Sequence, residues 1–274
     1  MPIFLDRHDL HEMSGAEVAE AHRRDLDIQD EYGVRFLTYW FDEGRGHAFC
    51  LIDAPDIAAA MRVHRESHGN IASRMIEVDL SAVEAFLGRI TDPVGPAKGM
   101  QAPAPDSAYR AVMFTDIVDS VSLAAKLGDR RMVELVRAHD AMVRRALTGN
   151  RGREVKHTGD GIMASFDDVA GSVACARAIS QGFAAFNRAS HVPLHIRIGI
   201  HAGEPVQDSN DLFGATVQLA ARICDEAPTD SIVISDVVRA ALGADNDAIA
   251  LGSRQFKGFD QPVDLFEVPW RKSG

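Results

Sequence analysis

A stretch rich in proline, glycine and alanine divides this chain into two segments that repeat a similar order of predicted elements. It runs from Thr91 to Ser107 and shows neither helical nor strand periodicity, which is typical of a linker. We therefore expect a first domain over residues 1–90 and a second over residues 108–270 of the 274-residue chain. Each segment is long enough to bury a core of its own.

The first segment predicts a ferredoxin-like β-α-β-β-α-β unit. Ser14 and Glu17 form a capping-box pattern that opens a helix ending near Gly33, and Pro55 opens a second helix to about His68. The sequence D-E-G-R-G predicts a hairpin between the middle strands. Strands are predicted at residues 3–5, 34–41, 47–52 and 73–78, with a short extra helix at 80–90.

The second segment predicts a larger unit of the same kind, so the expected fold class is α+β with two βαββαβ-type domains. Gly128 is expected to break a long helix, and Asp167 to cap a later one. Helices are predicted at residues 121–147, 167–189 and 214–226. Strands are predicted at residues 108–117, 154–158, 162–166, 194–201, 231–235, 255–257 and 263–268.

Charge and cysteine content narrow the class of protein. There are 40 acidic and 29 basic residues, for a net charge of -11, which argues against broad binding to nucleic acid or to anionic lipid. The 3 cysteines are far apart and odd in number, which predicts no disulfide framework and a reducing compartment. No basic leader and no long apolar run is visible. We therefore expect a cytoplasmic protein without a membrane segment.

Two aspartates each follow an apolar, strand-like run. Asp116 ends F-T-D, and Asp160 lies between two glycines in V-K-H-T-G-D-G. Either aspartate alone could simply cap a helix or form a turn. If the two strands are neighbours, however, the pair predicts a site for hard divalent cations and phosphoryl transfer. Asp119 precedes a predicted helix, so we expect it to act as a cap.

The second segment resembles a class III adenylyl/guanylyl cyclase catalytic domain. The resemblance rests on four blocks in the family's order: F-T-D-I-V-D-S at 114–120, V-K-H-T-G-D-G at 155–161, D-L-F-G-A-T-V-Q-L-A-A-R at 211–222 and F-K-G-F at 256–259. It implies a class III cyclase fold and the conversion of ATP to 3',5'-cyclic AMP and pyrophosphate. By the same resemblance, Asp116, Asp160 and the carbonyl of Ile117 hold two Mg²⁺ or Mn²⁺ ions.

The resemblance also assigns residues that bind the nucleotide. Lys156 and Asp211 occupy the purine-reading positions, and their hydrogen-bonding groups suit adenine. Arg222 takes the transition-state position, and Lys257 the position aimed at the β- and γ-phosphates. Gln218 replaces the family's usual asparagine at the ribose-orienting position. The family shares these residues across two subunits, which implies a homodimer.

His157 is outside the family pattern, and we expect it to serve packing. Without the four blocks, Lys156 would be interpreted as an exposed strand residue, Asp211 as a loop acid and Lys257 as a strand-end lysine.

The first segment resembles a small ferredoxin-like family that includes bacterial nickel-binding proteins. The resemblance covers about residues 1–80 and rests on R-H-D, A-H, F-C-L and V-H-R-E-S-H-G. His64 and His68 are spaced to lie on one helix face, which suits Ni²⁺ or Zn²⁺. His8, His22 and Cys50 are the candidates to complete the site. The alternative is that these residues are ordinary hydrogen-bonding histidines and a core cysteine.

Two interpretations of the whole chain remain open. In the first, the chain is an adenylate cyclase whose N-terminal domain regulates a dimeric catalytic unit. In the second, Gln218 marks a weakly active or inactive nucleotide-binding homologue that acts as a metal-responsive signalling module.

Overall fold

A computed structural model describes residues 1–92, 106–206 and 211–271 of the chain. It divides into two compact units, and each contains a sheet with helices packed against it. One unit comprises Met1–Tyr109 with Glu204–Gly214, and the other Arg110–Gly203 with Ala215–Gly274. Most of the predicted linker, residues 93–105, lies outside the described residues.

The first unit has the predicted order β-α-β-β-α-β followed by a short helix. Its elements are β1 (Ile3–Asp9), α1 (Gly15–Ile28), β2 (Arg35–Asp42), β3 (His47–Asp53), α2 (Ile57–Ser67), β4 (Arg74–Glu77) and α3 (Leu80–Leu87). The strands form an antiparallel sheet in the order β2-β3-β1-β4. This order is the one expected for a ferredoxin-like unit, so the predicted fold class is confirmed here.

Local sequence explains where these helices begin and end. Ser14 accepts a hydrogen bond from the backbone of Glu17, whose side chain returns one to the backbone of Ser14. Gly33 follows a 3-10 turn with φ of 62°, a conformation that costs glycine little. Asp56 caps α2 through the backbone N–H of Ala59. A buried cluster under the sheet, including Phe4, Phe36 and Ile52, forms the core.

The second unit extends the same plan. Its elements are β5 (Arg110–Ile117), α4 (Ser120–Leu127), α5 (Asp129–Gly149), β6 (Arg153–His157), β7 (Gly161–Phe166), α6 (Val169–Ala189), β8 (Ile196–Gly203), α7 (Gly214–Glu226), β9 (Ile232–Ser235), α8 (Asp236–Ala241), β10 (Ile249–Arg254) and β11 (Val263–Glu267). Its strand order is β10-β11-β9-β8-β5-β7-β6, with β8 and β9 parallel. The segment β8-β5-β7-β6 reproduces the ferredoxin-like core.

One predicted cap and one predicted strand of this unit were wrong, and two elements were not predicted. Asp168, not Asp167, caps α6, because its side chain accepts from the N–H groups of Ala170 and Gly171. The strand predicted at residues 255–257 is irregular, whereas the strand before it, β10, was missed. The short helix α8 was missed as well. The break at Gly128 is confirmed, since it separates α4 from α5 with φ of 78°.

Candidate active site and metal-binding clusters

The two aspartates of the second unit lie at neighbouring strand ends. In the β5–β7 ladder, Asp116 is directly paired with Gly161, the residue after Asp160. The backbone N–H of Ile117 donates a 3.3 Å hydrogen bond to the carbonyl oxygen of Asp160. Backbone hydrogen bonds therefore join the first two of the four sequence blocks. This arrangement can present two carboxylates to one group of cations.

Two glycines make the hairpin around Asp160 possible, each for a different reason. Gly159 has φ of 99°, a conformation that side chains disfavour. Gly161 lies against β5, and a Cβ atom there would be 1.9 Å from the carbonyl oxygen of Thr115. Because that oxygen belongs to the backbone of β5, it cannot move aside without displacing the strand. The G-D-G sequence is thus required by the fold as well as by any chemistry.

The Asp116 carboxylate lies in an environment that disfavours an isolated negative charge. Burial raises its pKa, and the nearby charges of Asp160 and Asp225 raise it further. Arg197 opposes this shift by donating from Nε to Oδ2 of Asp116 at 2.7 Å. A divalent cation would offset the same repulsion.

Ser120 contributes to this site in a way that the sequence analysis missed. Its hydroxyl donates a 2.5 Å hydrogen bond to Oδ2 of Asp160. The predicted capping role of Asp119 is wrong, because this residue has φ of 55° and its side chain makes no cap hydrogen bond. In this left-handed conformation Asp119 ends the turn after β5, and the next residue, Ser120, orients the carboxylate of Asp160.

Four long polar side chains of the second unit are available for a ligand. Lys156 and Gln218 are exposed, and Arg222 is half-buried on α7. Lys257 is exposed in the turn that follows β10. Within the described residues, none of these four makes a side-chain hydrogen bond or ion pair. Asp211 is exposed and lies in the segment that groups with the first unit.

His157 is more than a packing residue, so that expectation was wrong. Its Nε2 is 3.0 Å from Oδ2 of Asp140, and its Nδ1 accepts from the N–H of Gly159 at 3.2 Å. Arg197 was also missed. The signal for Arg197 was a charged side chain within a strand of mostly apolar residues, whereas β6 is largely polar and gave no such signal for His157.

The first unit contains two overlapping clusters of potential metal ligands. One consists of Asp6, His8, Cys50 and His64, all buried. The other consists of Asp25, His64 and His68. Within each cluster the ligand atoms lie within 4.8 Å of one another. Four of the five predicted residues are therefore brought together, and two carboxylates join them that the sequence analysis missed.

His22 belongs to neither cluster, although it lines the same small cavity. Its Nε2 lies 3.1 Å from a carboxylate oxygen of Asp92, and its ring packs against Tyr39. The Nδ1 atoms of His8 and His22 are buried and have no hydrogen-bond partner among the described residues. Buried nitrogens of this kind are costly unless something else satisfies them.

The ionisable side chains of the two clusters shift one another's pKa values. Burial favours the neutral form of His64, but Asp25 and Asp6 outweigh it and raise its pKa to about 10. Burial opposes ionisation of Asp6 as well, yet His8 and His64 hold its pKa far below the usual range. Burial and the two carboxylates raise the pKa of the Cys50 thiol. These shifts favour the protonated forms of His64 and of the Cys50 thiol.

Comparison with known protein families decides what the second unit is. Residues 104–263 match the family model described as the adenylate and guanylate cyclase catalytic domain, which is more than half of the chain. The chain belongs to this cyclase family. Residues 4–78 match the model described as nickel responsive protein SCO4226-like. Both resemblances inferred from the sequence are thereby confirmed, as is the α+β fold class.

Curated relatives include two adenylate cyclases. The chain is 29% identical over 140 residues to an adenylate cyclase of Streptomyces coelicolor, covering 51% of this chain and 36% of that protein. It is 31% identical over 166 residues to an adenylate cyclase of Mycosarcoma maydis, covering 51% of this chain and 7% of that one. The chain thus spans well under half the length of these two relatives.

Solved structures show the same fold. The crystal structure of the adenylyl cyclase CyaB from P. aeruginosa superposes with a TM-score of 0.53 at 22% identity, covering 59% of this chain and 93% of that one. Within the described ranges of this cyclase-family chain, no helix combines the length and the apolar character needed to cross a membrane.

Proposed function

We propose that this protein is an adenylate cyclase that converts ATP to 3',5'-cyclic AMP and pyrophosphate. The observation that carries the proposal is the pairing of Asp116 with Gly161, which sets two carboxylates at adjacent strand ends in a chain of the cyclase family. Cyclisation requires the ribose 3'-hydroxyl to attack the α-phosphate in line, and positioned charge supplies most of the rate enhancement for such reactions.

The donor set fits hard divalent cations. Asp116, Asp160 and the carbonyl of Ile117 offer only oxygen atoms, which Mg²⁺ and Mn²⁺ prefer. We propose that these residues hold two such ions. Bound ions would acidify the 3'-hydroxyl and neutralise the triphosphate. The chain itself orients its carboxylates through Ser120 and Arg197.

The remaining polar residues have proposed roles in nucleotide binding. Lys156 donates to the adenine ring and Asp211 accepts from its exocyclic amine, a pattern that guanine reverses. Arg222 stabilises the charge that develops on the transferred phosphate, and Lys257 binds the outer phosphates. Gln218 orients the ribose. We place the purine-reading and transition-state residues opposite the metal aspartates of a second copy, so the active unit is a homodimer.

The first unit is proposed to bind a borderline transition metal such as Ni²⁺ or Zn²⁺ and to regulate the cyclase. Imidazole and thiolate ligands suit these ions. The unsatisfied Nδ1 atom of His8, inside the cluster, supports binding, and the one on His22 lines the same cavity. Binding would have to displace a proton from Cys50 or His64, so we expect metal uptake to release protons.

Product formation by the full-length protein tests the catalytic proposal. Purified protein receives ATP or GTP with Mn²⁺ or Mg²⁺, and cyclic nucleotides and pyrophosphate are quantified. We expect cyclic AMP from ATP, with Asp116→Ala and Asp160→Ala each losing at least about a thousandfold, since each removes a ligand of the proposed ions. Asp119→Ala is the matched control and should retain activity, because its side chain makes no cap hydrogen bond.

A nucleotide-binding homologue with little turnover is the second candidate. Gln218 favours it, because the longer side chain changes the reach of the amide by about an ångström, which can cost about a hundredfold in rate. Tight ATP binding without product would support this candidate.

Metal binding by the first unit is tested separately by calorimetry with Ni²⁺ and Zn²⁺. His64→Gln is expected to weaken binding, and His191→Gln, on an exposed loop of the other unit, serves as the control.

A further inference from the structure

A chain of hydrogen bonds runs behind the proposed metal site and involves none of its ligands. It consists of His139 and Asp140 on α5, His157 at the end of β6, and Thr115 on β5. His139 is fully buried, and Thr115 is 1% exposed. Nothing in the proposed chemistry uses these side chains, yet they connect the two strand ends that carry the aspartates.

The direction of each hydrogen bond follows from the fixed backbone donors. The N–H of Gly159 donates to Nδ1 of His157, so that nitrogen is an acceptor and the proton lies on Nε2. Nε2 therefore donates to Oδ2 of Asp140 at 3.0 Å. His157 can make both contacts only as a neutral ring of this tautomer.

The hydrogen bonds that link Thr115 to Asp140 through His139 run in a matching direction. The N–H of Ile162 donates to Oγ1 of Thr115 at 3.1 Å, which leaves the threonine hydroxyl to donate to Nε2 of His139 at 3.2 Å. Nδ1 of His139 then donates to Oδ1 of Asp140 at 3.0 Å. Burial lowers the pKa of His139, which is consistent with a neutral ring.

Asp140 is thus the point where both halves meet. One of its oxygens reaches the glycine hairpin, residues 157–162, through His157. The other reaches Thr115, the neighbour of Asp116, through His139. We propose that the Asp140 carboxylate positions the glycine hairpin against β5 and thereby sets the geometry of the two metal aspartates. Asp140, His139 and His157 are positioning residues for the cyclase reaction, and this role rests on the proposed function.

Two substitutions of His157 separate its two hydrogen bonds. Asparagine places an acceptor near the position of Nδ1 and keeps the bond from Gly159, whereas glutamine places a donor near the position of Nε2 and keeps the bond to Asp140. The connection from Asp140 to the backbone of the hairpin needs both bonds. We therefore expect His157→Gln and His157→Asn each to lower kcat about tenfold with less than a threefold change in the KM for ATP.

Hydrogen exchange gives a readout that does not depend on turnover. Exchange of a peptide covering the glycine hairpin should accelerate about tenfold in His157→Gln and in Asp140→Asn, because each loses a hydrogen bond of the chain. His157→Asn should accelerate exchange there as well, because it keeps the bond from Gly159 and loses the contact with Asp140. His191→Gln, an exposed histidine with no hydrogen bond from its side chain among the described residues, is the matched control.

The two measurements also distinguish failure of this inference from failure of the proposed function. If the wild-type protein forms no cyclic nucleotide, exchange at the hairpin and the affinity for Mn²⁺, measured by calorimetry, still decide the positioning role. Equal exchange and equal kcat in His157→Gln and wild type would overturn it. So would wild-type exchange and kcat in His157→Asn, because that variant loses only the contact with Asp140.

Discussion

Arg197 and Asp116 face each other directly in the β8–β5 ladder, and Nε of Arg197 donates a 2.7 Å hydrogen bond to Oδ2 of Asp116. The same guanidinium donates from Nη1 to the carbonyl oxygen of Asp225 at 2.5 Å. One side chain therefore joins a proposed metal ligand to the last turn of α7.

Replacing Arg197 by lysine should separate these two contacts. A single ammonium lacks the fork that serves two acceptors at once, so Asp116 is expected to lose its fixed orientation. We expect kcat to fall about tenfold and the Mn²⁺ concentration for half-maximal activity to rise. Arg177→Lys is the matched control, because Arg177 likewise donates to a backbone oxygen, that of Pro269, and to Asp247. Equal metal dependence in both variants would contradict the assignment.

Gly161→Ala should unfold or severely weaken the second unit. The added methyl would meet the carbonyl oxygen of Thr115, and we expect a loss of about 3 kcal/mol in the free energy of unfolding. Gly182→Ala in α6 has open space around the new Cβ and should gain about 0.5 to 1 kcal/mol. Urea unfolding followed by Trp270 fluorescence in a Trp40→Phe background reports on this unit. An unchanged free energy of unfolding in Gly161→Ala would show that the strands can separate locally.

Gln218→Asn tests whether the departure from the family pattern limits turnover. Shortening the side chain by one methylene restores the usual reach, and we expect kcat to rise up to about tenfold with little change in the KM for ATP. Gln181→Asn on α6 is the corresponding control. An unchanged kcat would mean that this chain orients the ribose by other means.

His201 predicts a specific pH dependence of stability. Burial lowers its pKa from 6.5 to about 4, and its ring is paired with the hydroxyl of Ser235. The unfolded chain takes up the proton first, so stability from the neutral ring is present above pH 6.5 and is lost as the pH falls toward 4. The loss between pH 7 and pH 5 should be about 2 kcal/mol. His201→Gln should remove this part of the dependence of the free energy of unfolding on pH. Parallel curves for His201→Gln and the wild-type protein would contradict the prediction.

Much of the second unit follows from its sequence because local patterns and tertiary contacts agree. Gly128 breaks the long helix where its positive φ is needed, and α7 spans the predicted residues. The hairpin at Asp160 was predictable from glycines between strand-like arms. By contrast, β10 is an edge strand of mostly exposed residues with a bulge near Gly252, so it lacks the apolar alternation that identifies buried strands.

Contacts between polar residues that are far apart in the sequence were harder to predict. Asp6 and Asp25 look like ordinary surface charges in the sequence, yet both are buried against histidines. Only the spacing of Asp6 and His8, two apart on one strand, placed them on the same face. The contacts of Asp140 with His139 and His157 gave no such signal, because one partner is the adjacent residue of the helix and the other lies on a strand. Sequence periodicity identifies faces, but which faces meet depends on the register of the sheet.

Gly199 has a consequence for how α7 can respond to mutation. A Cβ at this position of β8 would lie 2.2 Å from the backbone nitrogen of Cys224, so α7 rests with its backbone directly on the strand. No layer of side chains is present there to deform. The helix cannot rotate or slide to compensate for a longer or shorter residue on its outer face. Any change in what the outer face of α7 can reach therefore depends on the length of its side chains, because the position of the helix backbone is fixed by the strand.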